Sequence, residues 1–258
     1  MGSYYDNAIL ADGPVAFWPL SDPVGATAAD LSGSGHFGTY VGGCSQGATG
    51  IGDGETSVAF DGSTGYVKIG AGLQAGASPW TAECWLRTKT VGSQAGTLLS
   101  MGASRPAHIG TGLTGAVAGG SGLWAGRETS ATVVDGAWHH GAITWPGSAG
   151  SLAFYVDGIV RSATIASATG VPIVSGSAPL FIGAGPNATA PFFAGEIAKM
   201  AIYGKALTAS QVAAHYQAAR LSAATATIIV HLDSSAVSRP IAITGGSPPG
   251  PVTPPVVT

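Results

Sequence analysis

Leu152-Ala153-Phe154-Tyr155-Val156-Asp157-Gly158 is the stretch that decides the fold. Leu152, Phe154 and Val156 alternate with Ala153 and Tyr155, and a period of two marks a strand with two distinct faces. Asp157-Gly158 follows with two residues that tolerate positive φ, as a two-residue hairpin turn requires, so residues 152–165 are expected to form paired strands. The pattern recurs on both sides. Upstream, a strand is expected over 138–145. Over 82–88, Cys84 and Leu86 alternate with Glu83 and Trp85. Val58 and Phe60, then Val67 and Ile69, alternate around Asp61-Gly62-Ser63 and predict a further hairpin. Pro14 to Leu20 reads as an early strand, part of it at a sheet edge because of Pro19. Downstream, 180–183 and 196–203 complete the set. Residues 102–126 are glycine-rich without a clear period and read as short strands with long loops, where binding usually resides.

The 258 residues include 41 glycines and 16 prolines, a density of breakers that suits many short strands joined by turns. That length fits one large all-β domain or two small ones. One helix is well specified. Thr208-Ala209-Ser210-Gln211 is a capping box, and Leu207 with Val212 forms a hydrophobic staple across it. Val212, Tyr216 and Ala219 then recur at helical spacing on a face that can dock on a sheet. Residues 4–11 can add one or two helical turns.

Charged residues are only 9% of the chain, the formal net charge is −3, and the ten Lys plus Arg form no basic run. Nucleic acid as a partner is excluded, because phosphate binding needs clustered cations. No apolar run reaches the roughly 18 residues of a membrane span. Met1-Gly2-Ser3-Tyr4-Tyr5-Asp6 has neither the basic nor the apolar region of an export signal. Cys44 and Cys84 allow one disulfide at most; two buried thiols is the favoured reading, with pairing left open.

Several segments, in order over residues 4–219, resemble laminin-G-like domains of the concanavalin A-like lectin superfamily, in the form found in actinobacteria and their phages. They are Ala11-Asp12-Gly13-Pro14-Val15-Ala16-Phe17-Trp18-Pro19-Leu20, Ala29-Asp30-Leu31-Ser32-Gly33, Val58-Ala59-Phe60-Asp61-Gly62, Trp138-His139-His140, Phe154-Tyr155-Val156-Asp157-Gly158 and Leu180-Phe181-Ile182-Gly183. The ending runs from Phe193-Ala194-Gly195-Glu196-Ile197 through Tyr203 to His215-Tyr216. The resemblance implies an all-β, two-sheet antiparallel jelly-roll sandwich closed by a short C-terminal helix. It places the sandwich at 1–221 and leaves 222–258 outside. That remainder reads as a strand over Ala226–Leu232 and a Pro-rich polyproline II tail, together an assembly arm. Many members of the family carry a structural calcium. Asp30 matches an early Asp-x-Ser-Gly position and is the candidate ligand, but the late acidic position is Ala198 here, followed by Lys199. A turn-capping role for Asp30 is favoured over calcium, and no other cofactor is expected.

The superfamily also contains glucanases, whose chemistry needs two carboxylates flanking one bond. The four glutamates, Glu55, Glu83, Glu128 and Glu196, include no pair at strand spacing. His139 and His140 are adjacent and face opposite ways, so they cannot chelate one metal. The chain is therefore expected not to be an enzyme. Sugar binding needs aromatic faces and planar polar groups, and Trp124, Arg127 and Glu128 supply both beside the glycine-rich segment; Trp80 and Trp145 are further aromatic candidates at strand ends. The expected function is a lectin-like, host-glycan-binding surface protein of a phage virion, either a minor tail or tip protein or a capsid decoration. Its partners would be host cell-surface polysaccharide and, through 222–258, other subunits or a homo-oligomer. The alternatives are a secreted carbohydrate-binding or adhesion module of an actinobacterium, and a structural virion subunit without a ligand.

Overall fold

The computed structural model describes residues 3–70, 73, 79–90, 96–101, 107–111, 117–121, 123–128, 133–146, 153–161, 163–164 and 179–233, with backbone alone at 101–128, 163–164, 186 and 222–233 wherever those ranges are described. Helix α1 (Tyr4–Ala11) comes first. Ser3 caps it through a reciprocal pair: Asp6 N–H donates to Ser3 Oγ (3.2 Å) and Ser3 N–H donates to Asp6 Oδ2 (3.3 Å). The strands β1 (Ala16–Trp18), β2 (Thr27–Ala28), β3 (Gly38–Val41), β4 (Cys44–Thr49), β5 (Thr56–Asp61) and β6 (Tyr66–Ile69) follow. Next come β7 (Trp80–Arg87), β8 (Thr97–Met101), β9 (Ala107–Thr111), β10 (Val117–Ser121), β11 (Leu123–Glu128) and β12 (His139–Trp145). The chain continues through β13 (Ala153–Val156), β14 (Ile159–Arg161), β15 (Ala163–Thr164), β16 (Leu180–Ile182) and β17 (Ala194–Tyr203) to helix α2 (Ala209–Asp233).

Among the described residues these strands form two antiparallel sheets. One has eight strands in the order β14-β13-β12-β7-β17-β5-β4, with β1 added on β17; the other has nine in the order β15-β11-β10-β9-β8-β16-β6-β3-β2. The two-sheet sandwich expected from the sequence is therefore present. Asp157 and Gly158 make the β13–β14 turn with φ of 54° and 73°, and Phe154 and Val156 face the core between the sheets. Leu152 lies outside the described residues. The glycine-rich segment is more regular than expected: β9, β10 and β11 form an antiparallel meander.

Two expectations are corrected. Val58 and Phe60 on β5, and Val67 and Ile69 on β6, all line the inter-sheet core, but β5 pairs with β4 and β17 while β6 pairs with β3 and β16. The segment is a crossing from one sheet to the other, not a hairpin. Asp61 fixes the crossing: its Oδ1 accepts from the N–H groups of Ser63, Thr64 and Gly65 at 2.8–2.9 Å, and its Oδ2 from both hydroxyls at 2.7–2.8 Å. These bonds to the ionised form hold the carboxyl below the usual carboxylate range. The strand expected over Ala226–Leu232 is instead helix, because α2 runs on to Asp233. No glycine or proline occurs between Gly204 and Pro240, and alanine-rich sequence favours helix continuation. The Pro-rich tail lies outside the described residues.

A second apolar layer covers the outer face of the eight-stranded sheet. Tyr5 and Ile9 of α1, and Leu207, Val212 and Ala219 at α2, pack with Phe17, Trp85, Tyr155, Ala201 and Tyr203. The Thr208 cap forms as the sequence predicts, with Gln211 N–H donating to Thr208 Oγ1 (3.2 Å) and Thr208 N–H to Gln211 Oε1 (3.0 Å). Tyr216 stacks on Trp85 at 5.7 Å between centroids and 18° between planes. The ring is partly buried, so Tyr216→Ala is expected to cost about 2 kcal/mol, read as a lowered urea midpoint. An unchanged midpoint would show that α2 does not contribute to the folded unit.

Candidate functional site

The backbone brings Trp124, Arg127 and Glu128 together on β11, between β10 and β15. Arg127 pairs with Ala118 on one side and Thr164 on the other, and Glu128 pairs with Ala163. Their side chains lie outside the description. Trp80 and Trp145 face each other across β7 and β12 and are 3% and 4% exposed; they are core residues, so they are withdrawn as ligand contacts. Cys44 and Cys84 are both free thiols, and burial pushes each up, Cys44 to about 11.

Asp30 acts as a structural staple. Its Oδ1 accepts from Phe17 N–H (3.0 Å) and Ser32 N–H (2.9 Å), and its Oδ2 from His36 N–H (2.8 Å). Burial alone would raise this carboxyl, but the backbone donors hold it below its ordinary value. The arrangement joins β1 to the 30–36 turn.

An acidic triad does exist elsewhere. Asp6, Asp53 and Glu55 bring ligand atoms within 4.8 Å of one another. Its centre is held by Lys199, whose Nζ lies 2.7 Å from Asp6 Oδ1, 3.0 Å from Asp53 Oδ2 and 2.5 Å from Glu55 Oε2. The lysine arrives there through a bulge in β17, where the register against β7 shifts between Ala198 and Ala201 and Lys199 has φ 58°. Calcium, the ion the family resemblance implies, does not fit beside that ammonium. The sequence showed the departure at Ala198 and Lys199, but not the three acids that meet it.

A second buried polar cluster was not anticipated. Glu83, fully buried on β7, accepts from Tyr203 Oη at 2.6 Å and meets His140 Nε2 at 3.0 Å and His215 Nδ1 at 2.9 Å. His215 Nε2 reaches Asp12 Oδ2 at 3.0 Å, and Asp12 Oδ1 accepts from Gln211 Nε2 at 2.7 Å. The chain of contacts ties the end of α1 and the start of α2 to the middle of the sheet. Burial alone would push Glu83 up, but hydrogen bonds from His140 and His215, and their charge, pull it down to about 2. Burial opposes the charged form of His215, and Glu83 and Asp12 outweigh it and raise the group above 6.5. An acid flanked by histidines has the composition of a proton relay. Here Glu83 and His140 are 0% exposed and His215 is 2% exposed, so the cluster works as a clamp. The other histidine of the pair, His139, faces away and meets Asp157 (2.9 Å) and Asp135 (3.1 Å).

Glu196 is also engaged. It forms a two-bond pair with Arg87, both contacts at 2.6 Å, and the Arg87 guanidinium lies 5.0 Å from the Trp138 ring centroid. Thus Glu55, Glu83 and Glu196 each already face a basic group of the protein.

Comparison with known proteins agrees with this architecture. Residues 61–213, more than half of the chain, match the family described as the concanavalin A-like lectin/glucanases superfamily. No curated protein matches the sequence. Among solved structures, domain 4 of an extracellular arabinanase from Geobacillus stearothermophilus, in complex with arabinotriose, is similar with a TM-score of 0.56 and 21% identity, over 79% of this chain and 98% of that one. Trypanosoma rangeli sialidase in complex with sialic acid aligns with a TM-score of 0.61 and 14% identity, over 84% of this chain but only 37% of the sialidase. The binding domain of Paraclostridial Mosquitocidal Protein 1 aligns with a TM-score of 0.58 and 13% identity, over 80% of this chain and 52% of that one. The chain thus spans only about a third to a half of the sialidase and mosquitocidal structures. At these identities the likeness is one of fold.

The clamp predicts a specific pH dependence. Glu83 is depressed, so its contribution is present above an ordinary glutamate's 4.5 and is lost as pH falls towards about 2. His215 is raised, so its contribution is fully present below 6.5 and is lost as pH rises through its folded value. His139 is raised by Asp157 and Asp135 in the same way, so a difference measurement is needed. The urea midpoint of the wild type should fall from pH 6 to pH 9 by more than that of His215→Gln. Parallel curves for the two proteins would rule out His215 as a charged member of the clamp.

Proposed function

We propose, from the premise that this chain belongs to the concanavalin A-like lectin/glucanases superfamily, that it is a non-catalytic glycan-binding domain displayed on the surface of a bacteriophage particle. The observation that carries the binding reading is the likeness in fold to a single arabinanase domain, aligned over 98% of its length and 79% of this chain and solved in complex with arabinotriose. The state of the carboxylates supports a non-catalytic role: Glu83 is sealed in the clamp, Glu55 is held by Lys199 and Glu196 by Arg87. A glycosidase needs one protonated and one free carboxyl on either side of the bond.

Trp124, Arg127 and Glu128 remain the proposed candidates, since β11 lies in the sheet that the helices leave alone; Arg127 and Glu128 are neighbours on opposite faces of the strand, so one of the two would share the ligand face. The virion assignment draws on the resemblance to phage minor tail proteins and on the low charge of the chain. Residues 222–258 are proposed to contact neighbouring subunits. A host cell-wall polysaccharide is the proposed ligand class.

The test immobilises the full chain and screens arabinan, arabinogalactan, laminarin and lichenan for both binding and release of reducing ends. Binding of at least one polysaccharide without turnover is expected, with Trp124→Ala weakening it at least tenfold, or about 1.4 kcal/mol. Turnover abolished by mutating a single glutamate would overturn the non-catalytic reading, and binding unaffected by Trp124→Ala would remove β11 from the site.

A further inference from the structure

We propose that the Lys199 ammonium is the resident cation of a site built for a divalent ion: it makes the wild-type fold indifferent to calcium, and its removal opens the triad to that ion. An ammonium has three N–H donors, and the triad offers it three carboxylate oxygens, Asp6 Oδ1, Asp53 Oδ2 and Glu55 Oε2, at 2.7, 3.0 and 2.5 Å. Lys199 is 0% exposed, and the Asp6 and Asp53 side chains are 1% exposed. Among the described residues Asp53 Oδ2 is buried without a hydrogen bond, and it meets Nζ as an ion pair.

The three carboxylates do not depend on the lysine for their aim. Asp6 is oriented by Ser3 N–H (3.3 Å), Asp53 by Glu55 N–H (3.2 Å) and Glu55 by Ser21 Oγ (3.0 Å). Removing the ammonium would leave three like charges in place, within 4.8 Å and largely desolvated. A buried, uncompensated charge is strongly unfavourable, so the emptied triad must gain protons, water or a cation. Calcium is the match among cations: it takes carboxylate oxygens at about 2.3–2.6 Å and fills the remainder of its shell with water. Glu55, 24% exposed, gives that water a way in.

The substitutions can be made without new backbone strain. Lys199 sits at φ 58°, a conformation that methionine bears no worse than lysine and that glycine adopts freely. The test compares the full-length wild type, Lys199→Met and Lys199→Gly in EDTA and in millimolar calcium chloride, by thermal melting, circular dichroism and calorimetric titration. The wild type should melt at the same temperature in both and give no binding heat. Both variants should melt lower in EDTA and recover by several degrees with calcium, or refold on calcium addition if EDTA leaves them unfolded. Adding Asp53→Asn to Lys199→Met should abolish the recovery. Calcium stabilisation of the wild type would overturn the proposal, as would two variants that calcium neither stabilises nor refolds. The result is independent of any glycan, so failure of the glycan-binding reading leaves this inference intact, and the converse also holds.

Discussion

The fold depends on one buried carboxylate. Glu83 lies in the middle of β7, at the centre of the eight-stranded sheet, and is fully buried. Burying an ionised carboxylate without partners costs several kcal/mol, and the chain answers with donors from three directions. Tyr203 comes from the neighbouring strand β17, His140 from the strand on the other side, β12, and His215 from the helix above. Satisfying Glu83 therefore requires α2 to be seated, and Asp12 extends the same requirement to the end of α1 through His215. Aromatic packing meets the polar cluster here, because Tyr5, Trp85 and Tyr216 gather around His140 with ring centroids 5.4–6.4 Å away.

This clamp determines which surfaces remain for function. With two helices sealed over it, the outer face of the eight-stranded sheet is a second core. On that face Arg87 and Glu196 pair with each other, and the guanidinium lies over the Trp138 ring. Lys199 and its three acids tie α1 and the loop before β5 to the bulge of β17. The ligand surface proposed above lies on the nine-stranded sheet, away from the two helices. That sheet carries β11 and the glycine-rich meander, where small residues allow close approach of another molecule.

Local features were legible in the sequence, and tertiary partners were not. Asp157-Gly158 could be read because the turn needs positive φ at both positions, and Thr208 with Gln211 could be read because a capping box closes within four residues. The pattern of Val58, Phe60, Val67 and Ile69 correctly marked their inward face, yet a period of two names a face and not a neighbour, so β5 and β6 were paired wrongly. The alternation of Ile228, Val230 and Leu232 suggested a strand over Ala226–Leu232, and an alanine-rich stretch without a breaker carried the helix through them. Glu83 read as part of a polar strand face. Strand period cannot say whether such a face meets water or another layer. The available signal was His215, which shares the helical face of Val212 and Ala219. Lys199 was visible as a departure, but its acids lie far away in sequence, Glu55 by 144 positions and Asp6 by 193.

The central claim is that Glu83 and α2 stabilise one another through His215, and a double-mutant cycle tests it most directly. Urea unfolding at pH 6 of the wild type, Glu83→Gln, His215→Gln and the double variant yields the interaction energy free of each residue's separate effects. A coupling above about 1 kcal/mol is predicted, in line with hydrogen bonds to charged groups. Additivity within about 0.5 kcal/mol would contradict the account and make the buried cluster incidental to the docking of the helix.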